Sequence, residues 1–314
     1  MEAVYRNHCF GIETECTGIR RDNVWKILGP EFCKSVSKYK TRKGYYNYII
    51  TDHTDRKWYV KLDSSILARR SVNGKICRVP LEEYGEYQVE FISPILEYDR
   101  DIGMLLTAIR KLKAAGAIVN KSCGIHIHLD GRKYNSHDIK NFCNIVASRT
   151  KLFDLALKAE PVRRENYCKD LDTDFLDLIN KTHEVPMDKI EEAWYSKYDQ
   201  EMSRDEHYHK SRYSLLNLHS FFHGHKTVEL RCFNSSLDAE MVRAYVLLAL
   251  GLNFIALTSK YTWNRPVEVD NPRYTMIHFL QRIGIKGPQY AKVRELLTKH
   301  LPGDPNWRQP RNSA

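Results

Sequence analysis

Five short segments of this chain alternate polar and apolar residues with a period of two, and this alternation constrains the fold more than any other feature. Residues two apart in a β-strand point to the same face, so each segment brings polar side chains together on one side. The aligned groups are Glu13 with Glu15, Lys61 with Asp63, Glu86 with Gln88 and Glu90, His126 with His128, and Glu229 with Arg231. The pattern predicts a half-buried sheet with one polar face.

Helical patterns alternate with these segments along the chain. Candidate strands cover 9–17, 45–51, 57–63, 87–93, 124–130 and 226–233, and helices begin near residues 101, 136, 187, 238 and 288. Ser136 is the expected N-cap of the second helix, and Gly116 suits the left-handed position after the first. The order predicts a mixed α/β or α+β fold.

The strands that carry the polar pairs extend from residue 9 to residue 233, so a domain boundary between them would divide the polar face. We therefore predict a single domain over residues 1–314. The strongly charged segment 161–210 is expected to be a helical insertion, or a lid over the sheet, and 264–314 a helical tail. Neither segment carries one of the polar pairs.

The chemistry of the polar face points to divalent metal ions. One such pair alone would most often be the solvated face of a sheet. Together, however, the segments supply four or five carboxylates and two imidazoles, which hard and borderline divalent metals prefer as ligands. Two or three Mg²⁺ or Mn²⁺ ions held in this way suit the phosphates of a nucleotide. No phosphate-binding loop of the G-x-x-x-x-G-K-S/T type is present.

Composition narrows the class of protein and its partners. Lys and Arg outnumber Asp and Glu by 49 to 39, and the net charge of +10 favours anionic partners: phosphorylated ligands, acidic peptides or nucleic acid. The apolar stretch 244–257 is shorter than the ~18 residues of a membrane span, and we expect no signal peptide and no membrane association. Eight cysteines without a C-x-x-C pair predict reduced thiols in a cytoplasmic protein.

Six motifs resemble the amidoligase family of carboxylate-amine ligases, relatives of glutamine synthetase and glutamate-cysteine ligase. Over residues 10 to about 255 they follow the family's order: F-G-I-E-T-E, W-Y-V-K-L-D-S-S-I, E-F-I-S-P-I-L, C-G-I-H-I-H-L-D, R-Y-S-L-L-N-L and T-V-E-L-R-C-F-N-S-S-L. The resemblance implies an α+β fold with a glutamine synthetase-like antiparallel β-sheet. Helices would pack on its outer face, and the active site would lie on its open concave face.

The resemblance also implies ATP as phosphoryl donor and two or three Mg²⁺ or Mn²⁺ ions. Glu13 and Glu15 would bind different ions. Glu90 would join Glu15, while His126 and Glu229 would join Glu13. A further carboxylate, Glu86, is a less certain extra ligand.

The remaining expected roles concern nucleotide and substrates. His128 would lie near the nucleotide phosphates, and Lys61 is predicted to contact the nucleotide. Arg212 and Arg231 would face the transferred phosphoryl group. Asp63 would lie near the amine and accept its proton.

The implied reaction is ATP-dependent formation of an amide or isopeptide bond through an acyl phosphate. The sequence leaves the carboxylate and amine open: an amino acid, peptide, polyamine, cell-wall fragment or modified nucleobase all fit, and the oligomeric state is open too. Two alternatives use the same residues. One is a metal-dependent hydrolase or nuclease that acts on nucleic acid, and the other is a catalytically inactive basic binding protein.

Overall fold

The computed structural model describes residues 8–42 and 44–308, which form two compact units. The N-terminal unit contains residues 9–127 and 233–243, and the C-terminal unit contains 128–232 and the chain from 244 onward. Each unit is therefore assembled from segments that are distant in sequence. The sequence-based expectation of one catalytic domain over 1–314 stays a prediction.

The N-terminal unit is built around an antiparallel sheet. Its strands are β1 (Cys9–Cys16), β2 (Ser35–Lys40), β3 (Tyr46–Thr51), β4 (Lys57–Lys61), β5 (Arg69–Val72), β6 (Lys75–Arg78), β7 (Val89–Ile92), β8 (Leu96–Glu97) and the start of β9 (Gly124–Asp130). The order in the main sheet is β9-β1-β7-β4-β3-β2, β8 also pairs with β1, and β5 and β6 form a separate hairpin. The predicted antiparallel sheet is confirmed.

Apolar residues of the strands form the core of this unit. Trp58 and Phe91 are almost fully buried, and their rings stack with centroids 5.2 Å apart. Helices α1 (Val24–Leu28) and α2 (Tyr98–Ala114) add further apolar side chains, among them Leu105 and Ile109, which are fully buried. Burying one such side chain stabilises the fold by about 1.5–3 kcal/mol. A strand shifted by one residue would turn its apolar side chains away from the core, so this burial determines the strand registers.

Two predictions about helix ends can be checked in α2. It begins at Tyr98, three residues before the predicted start, because the carboxylate of Asp101 accepts a hydrogen bond from the backbone N–H of Glu97 (2.8 Å). Its C-terminal end agrees with the prediction, since Gly116 adopts a φ of +95°. An L-residue with a side chain rarely adopts this conformation.

The structure corrects two sequence-based assignments. Residues Tyr84–Tyr87 form a 3₁₀ helix, so Glu86 does not align with Glu90 on a strand; its carboxylate forms an ion pair with Arg20 instead. The N-cap of the helix that begins at Ser136 is Asn135, which forms a reciprocal capping box with Asp138. Ser136 is therefore the first helical residue, because the Asn135 side chain satisfies the backbone N–H of Asp138.

The C-terminal unit is mainly helical. Its elements are α3 (Ser136–Leu157), α4 (Pro161–Asn166), α5 (Thr173–Asn180), α6 (Met187–Tyr195), β10 (Leu216–Asn217), α7 (His219–His223), most of β11 (Thr227–Asn234), most of α8 (Ala239–Thr258), α9 (Pro272–Arg282) and α10 (Ala291–Thr298). Residues 233–234 of β11 and 239–243 of α8 belong to the N-terminal unit. Segment 161–210 contains helices α4, α5 and α6, while its expected role as an insertion or lid stays a prediction. Strand β10 pairs antiparallel with β11.

Helix α8 is longer than the apolar stretch seen in the sequence. Among residues 8–42 and 44–308 it is the one helix long and apolar enough to cross a membrane, with a mean hydropathy of 1.8. However, 78% of that window is buried within the structure. Such burial is what a core helix shows, so length and composition do not identify a membrane span here.

Candidate metal centre

Three strands of the N-terminal unit place charged side chains on one face of the sheet. Glu15 on β1 is paired in register with Glu90 on β7, and Glu90 is paired with Lys61 on β4. Paired residues of an antiparallel sheet have side chains on the same face, about 4.5–5.5 Å apart at Cβ. The opposite face carries the core, where Thr14 and Val60 pair with Phe91. The burial of the core face therefore determines which charges meet.

Strand β9 adds an imidazole to this face. Nδ1 of His126 lies 2.9 Å from Oε2 of Glu13, and its Nε2 lies 3.7 Å from Oε1 of Glu15. The His126 side chain is about 5% exposed, and that of Glu13 is 22% exposed. The structure thus brings four of the predicted metal ligands, Glu13, Glu15, Glu90 and His126, together in one unit.

The carboxylate of Glu15 is held in place from two directions. Its Oε2 accepts a hydrogen bond of 2.7 Å from the backbone N–H of Gly124. The hydroxyl of Ser235 donates to the main-chain carbonyl of Glu15, at 2.5 Å. With only 2% of the residue exposed, Glu15 is fixed in orientation. Neither Gly124 nor Ser235 was predicted to support the site, although both belong to the motifs that carry it.

Electrostatics make this face a favourable place for a cation. Burial raises the pKa of Glu90 well above its ordinary value, and the neighbouring carboxylates of Glu13, Asp63 and Glu15 raise it further, against the opposing effect of Lys61. One potential ligand atom from each of Glu15, Glu90 and His126 lies within 4.8 Å of the others. These groups fit a divalent metal ion, because a cation would offset the repulsion between carboxylates.

Lys61 and Asp63 flank the carboxylates. The Lys61 ammonium lies 5.3 Å from the centre of the Tyr59 ring. Asp63 follows β4, and its Oδ1 accepts a hydrogen bond from the backbone N–H of Ser65 at 2.7 Å. Both charges act on the pKa of Glu90. Lys61 is also paired in register with Glu90, while the roles of both residues stay predictions.

Strand β11 of the C-terminal unit carries a buried ion pair. Nη1 of Arg231 donates to Oε1 of Glu229 at 2.5 Å, and Nδ2 of Asn217 donates to Oε2 of Glu229 at 2.6 Å. Glu229 and Arg231 are 2% and 5% exposed. Nε of Arg231 also donates to the carbonyl of Tyr167, at 3.3 Å. Asn217 escaped the sequence prediction, although it is the polar residue at the end of the R-Y-S-L-L-N-L motif.

Two further predicted residues lie in the same unit. Nδ1 of His128 is 3.4 Å from the hydroxyl of Thr227. Arg212 ends a 3₁₀ helix (Lys210–Arg212) and donates to the carbonyl of His207 at 3.1 Å, with its guanidinium 5.4 Å from the centre of the Tyr208 ring. Their expected contacts with nucleotide and phosphoryl group stay predictions.

A family model described as "Putative amidoligase enzyme" matches residues 6–253. The chain belongs to this amidoligase family. The matched region includes every residue of the predicted site, from Glu13 to Arg231. The family resemblance drawn from the six motifs is thereby confirmed, and so is the general class of ligase.

Two other comparisons add little. No curated protein matches the chain. Among solved structures, a bifunctional glutathione synthetase from Pasteurella multocida is similar at 12% identity and a TM-score of 0.34. The alignment covers 95% of this chain and 48% of that protein, so the chain spans about half its length. A similarity at this level carries no argument about mechanism.

Proposed function

We propose that this amidoligase is an ATP-dependent ligase that joins a carboxylate to an amine through an acyl phosphate. The observation that carries the proposal is the convergence of Glu15, Glu90 and His126 on one face of the sheet, within reach of a single cation. Glu13, Lys61 and Asp63 surround this group. Such a surface, rich in carboxylates, is unsuited to a nucleotide unless cations intervene.

The donor set fits Mg²⁺ or Mn²⁺. Glu15, Glu90 and His126 would hold one ion, and Glu13 lies beside His126. A second ion bound by Glu13, His126 and Glu229 remains the expectation drawn from the family motifs. When bound, such ions neutralise phosphate charge and favour phosphoryl transfer.

The proposed reaction has two steps. A carboxylate oxygen of the substrate attacks the γ-phosphorus of ATP, and the bond to the β–γ bridging oxygen breaks to release ADP. The amine then attacks the acyl carbon, and phosphate leaves with the bond electrons. Asp63 would accept the proton that the amine loses, because it is the carboxylate next to the centre that is not a proposed ligand.

Four basic residues would stabilise negative charge and would not act as nucleophiles. Lys61, opposite Glu90 in register, would contact ATP. Arg231 would stabilise the phosphoryl group in transit, and its bonds to Glu229 and to the carbonyl of Tyr167 fix its guanidinium. Arg212 would assist Arg231, and His128 would approach the nucleotide phosphates.

Substrates and location complete the proposal. The amine could be ammonia, an amino acid, a polyamine or a side chain of a larger molecule. Attraction to nucleic acid rests on net charge alone and stays a prediction. The eight cysteines, none of them in a C-x-x-C pair, favour a cytoplasmic location, where thiols are kept reduced.

The test is product formation in a metabolite pool with ATP and Mn²⁺. We expect ADP and phosphate to appear together with a product that has lost water, detected by mass spectrometry. The Glu90→Gln variant should lose this activity, whereas Glu97→Gln, which removes a 42% exposed carboxylate on β8, should keep it. Metal-dependent cleavage of nucleic acid without ATP would instead identify a nuclease. Failure to bind Mg²⁺ and a non-hydrolysable ATP analogue would identify an inactive binding protein.

A further inference from the structure

A cavity lies in the N-terminal unit, on the other face of the sheet from Glu90 and Lys61. Its volume is about 280 Å³, and its walls are formed by Arg20, Arg21, Asp22, Gly44, Tyr45, Tyr46, Tyr48 and Glu86. Tyr48 is paired with Val60 on β4, whose side chain points to the core face. The side chains of Lys61 and Glu90 point the opposite way. The cavity is thus separated from the candidate metal centre by the sheet.

The tyrosine wall of the cavity is fixed by close packing. A Cβ atom at Gly85 would lie 2.5 Å from the Tyr45 ring, so the ring rests directly on the glycine backbone. Arg21, which is 2% exposed, lies 5.7 Å from the centre of the same ring. Its guanidinium donates to the carbonyls of Tyr46 (3.1 Å), Gln88 (3.0 Å) and Gly85. One buried arginine therefore joins the chain at Tyr46 to segment 85–88 beside the cavity.

The polar side of the cavity carries charges of both signs. Arg20 forms ion pairs with Glu86 and Asp22, the latter at 3.3 Å, and Nη1 of Arg20 lies 3.7 Å from Glu83. The Arg20 side chain is 34% exposed, so it can exchange partners, unlike the buried Arg21. The four charged residues in the wall, two arginines and two acids, sum to zero net charge.

We propose that this cavity is a binding site for a free α-amino acid with an aromatic or apolar side chain. The ammonium group would bind Asp22 and Glu86, and the carboxylate would bind Arg20. The ammonium and carboxylate of an amino acid can replace the existing ion pairs, because they offer one charge of each sign. A ligand with only one of these charges would leave a charged side chain of the wall without a partner. The Tyr45, Tyr46 and Tyr48 rings would contact the side chain.

The size of the cavity agrees with such a ligand. Small-molecule pockets begin at about 300 Å³, so this cavity suits an amino acid better than a nucleotide or a peptide. The cavity also has a physical connection to the metal centre, because Arg21 binds the carbonyl of Gln88, two residues before Glu90. Gln88 in turn donates to the carbonyls of Ser64, which follows Asp63, and of Ile66. The proposal itself concerns binding and does not depend on ligase activity.

Titration calorimetry of the whole chain with L-phenylalanine, without ATP or metal, tests the proposal. We expect saturable binding that is weakened about tenfold or more by loss of either charged group of the ligand, in phenethylamine or N-acetyl-L-phenylalanine. Glu86→Gln should weaken binding by a similar factor. Glu82→Gln, on the same segment but exposed and outside the cavity wall, should leave it unchanged. Melting curves should show that both variants are folded.

Three results would overturn the proposal. The first is the absence of saturable binding for both L-phenylalanine and L-leucine. The second is equal affinity for phenethylamine and L-phenylalanine, which would mean that only the cation is recognised. The third is binding that survives Glu86→Gln and Tyr48→Ala but is lost in Glu90→Gln, because the amino acid would then bind at the metal centre. A failure of the ligase assay would leave the expected calorimetric results unchanged.

Discussion

Replacing Glu90 by Gln should stabilise the metal-free protein and at the same time remove its stabilisation by Mn²⁺. The candidate ligand atoms of Glu90, Glu15 and His126 lie within 4.8 Å of one another. Two unit charges at that separation repel by about 3–4 kcal/mol at an effective dielectric constant of about 20. Because the Lys61 ammonium offsets part of this repulsion, we expect the substitution to relieve about 1–2 kcal/mol of it at pH 7.

The sign of the pH dependence follows from the direction of the pKa shift. The pKa of Glu90 is raised in the folded state, so the metal-free native state binds the proton more tightly than the unfolded chain. The free energy of unfolding contributed by Glu90 is then highest at low pH. It falls as the pH rises from the carboxyl's ordinary pKa through the raised one. The Glu90→Gln variant should lack this decline.

Urea unfolding in EDTA and in Mn²⁺ measures both effects. The free energy of unfolding of the wild-type protein should rise by about 2.7 kcal/mol when free Mn²⁺ is a hundredfold above its dissociation constant. That of the Glu90→Gln variant should rise far less. Glu97→Gln provides the matched control and should behave as wild type in both media. The reasoning is refuted if Glu90→Gln is less stable than wild type in EDTA and still gains the full stabilisation from Mn²⁺.

Three further changes have expected outcomes. Hydrogen bonds from Trp58, Thr54 and Arg56 outweigh the effect of burial and lower the pKa of Asp52 to about 2. Asp52→Asn should therefore lower the free energy of unfolding in urea by about 2 kcal/mol at pH 7. The difference between variant and wild type should shrink as the pH falls below 4. Arg231→Lys removes the forked contact with Glu229 and the Tyr167 carbonyl, so turnover should fall at least tenfold while circular dichroism is unchanged. Gly116→Ala, at a φ of +95°, should lower stability by about 1 kcal/mol in the same unfolding assay.

The sequence predicted the strands that carry the site because their alternation is strong. β9 was predicted at its observed bounds, and β1 and β11 to within one residue at each end. A strand cannot be recognised from alternating polar and apolar residues when neither of its faces is buried. β2 is exposed along its whole length, so neither of its faces carries a run of buried apolar residues. It was missed for this reason.

The contacts that support the site were less predictable than its ligands. Glu86 was expected to align with Glu90 on one strand, and this was wrong because Glu86 lies in a 3₁₀ helix before β7. The alternation of polar and apolar residues does not reveal this helix. The bonds from Gly124 and Ser235 to Glu15 join residues 109 and 220 positions apart. Only the folded sheet brings them together. Asn217 is likewise recognisable as a partner of Glu229 only through the pairing of β10 with β11.

Binding of Mn²⁺, followed by electron paramagnetic resonance of the free ion, tests the central claim most directly. The account predicts that wild-type protein binds Mn²⁺ saturably and that the Glu15→Gln/Glu90→Gln double variant binds at least one ion fewer per chain, or binds it at least tenfold more weakly. A double variant that is folded and has the same stoichiometry and affinity as wild type would contradict the assignment of the metal centre to this face of the sheet.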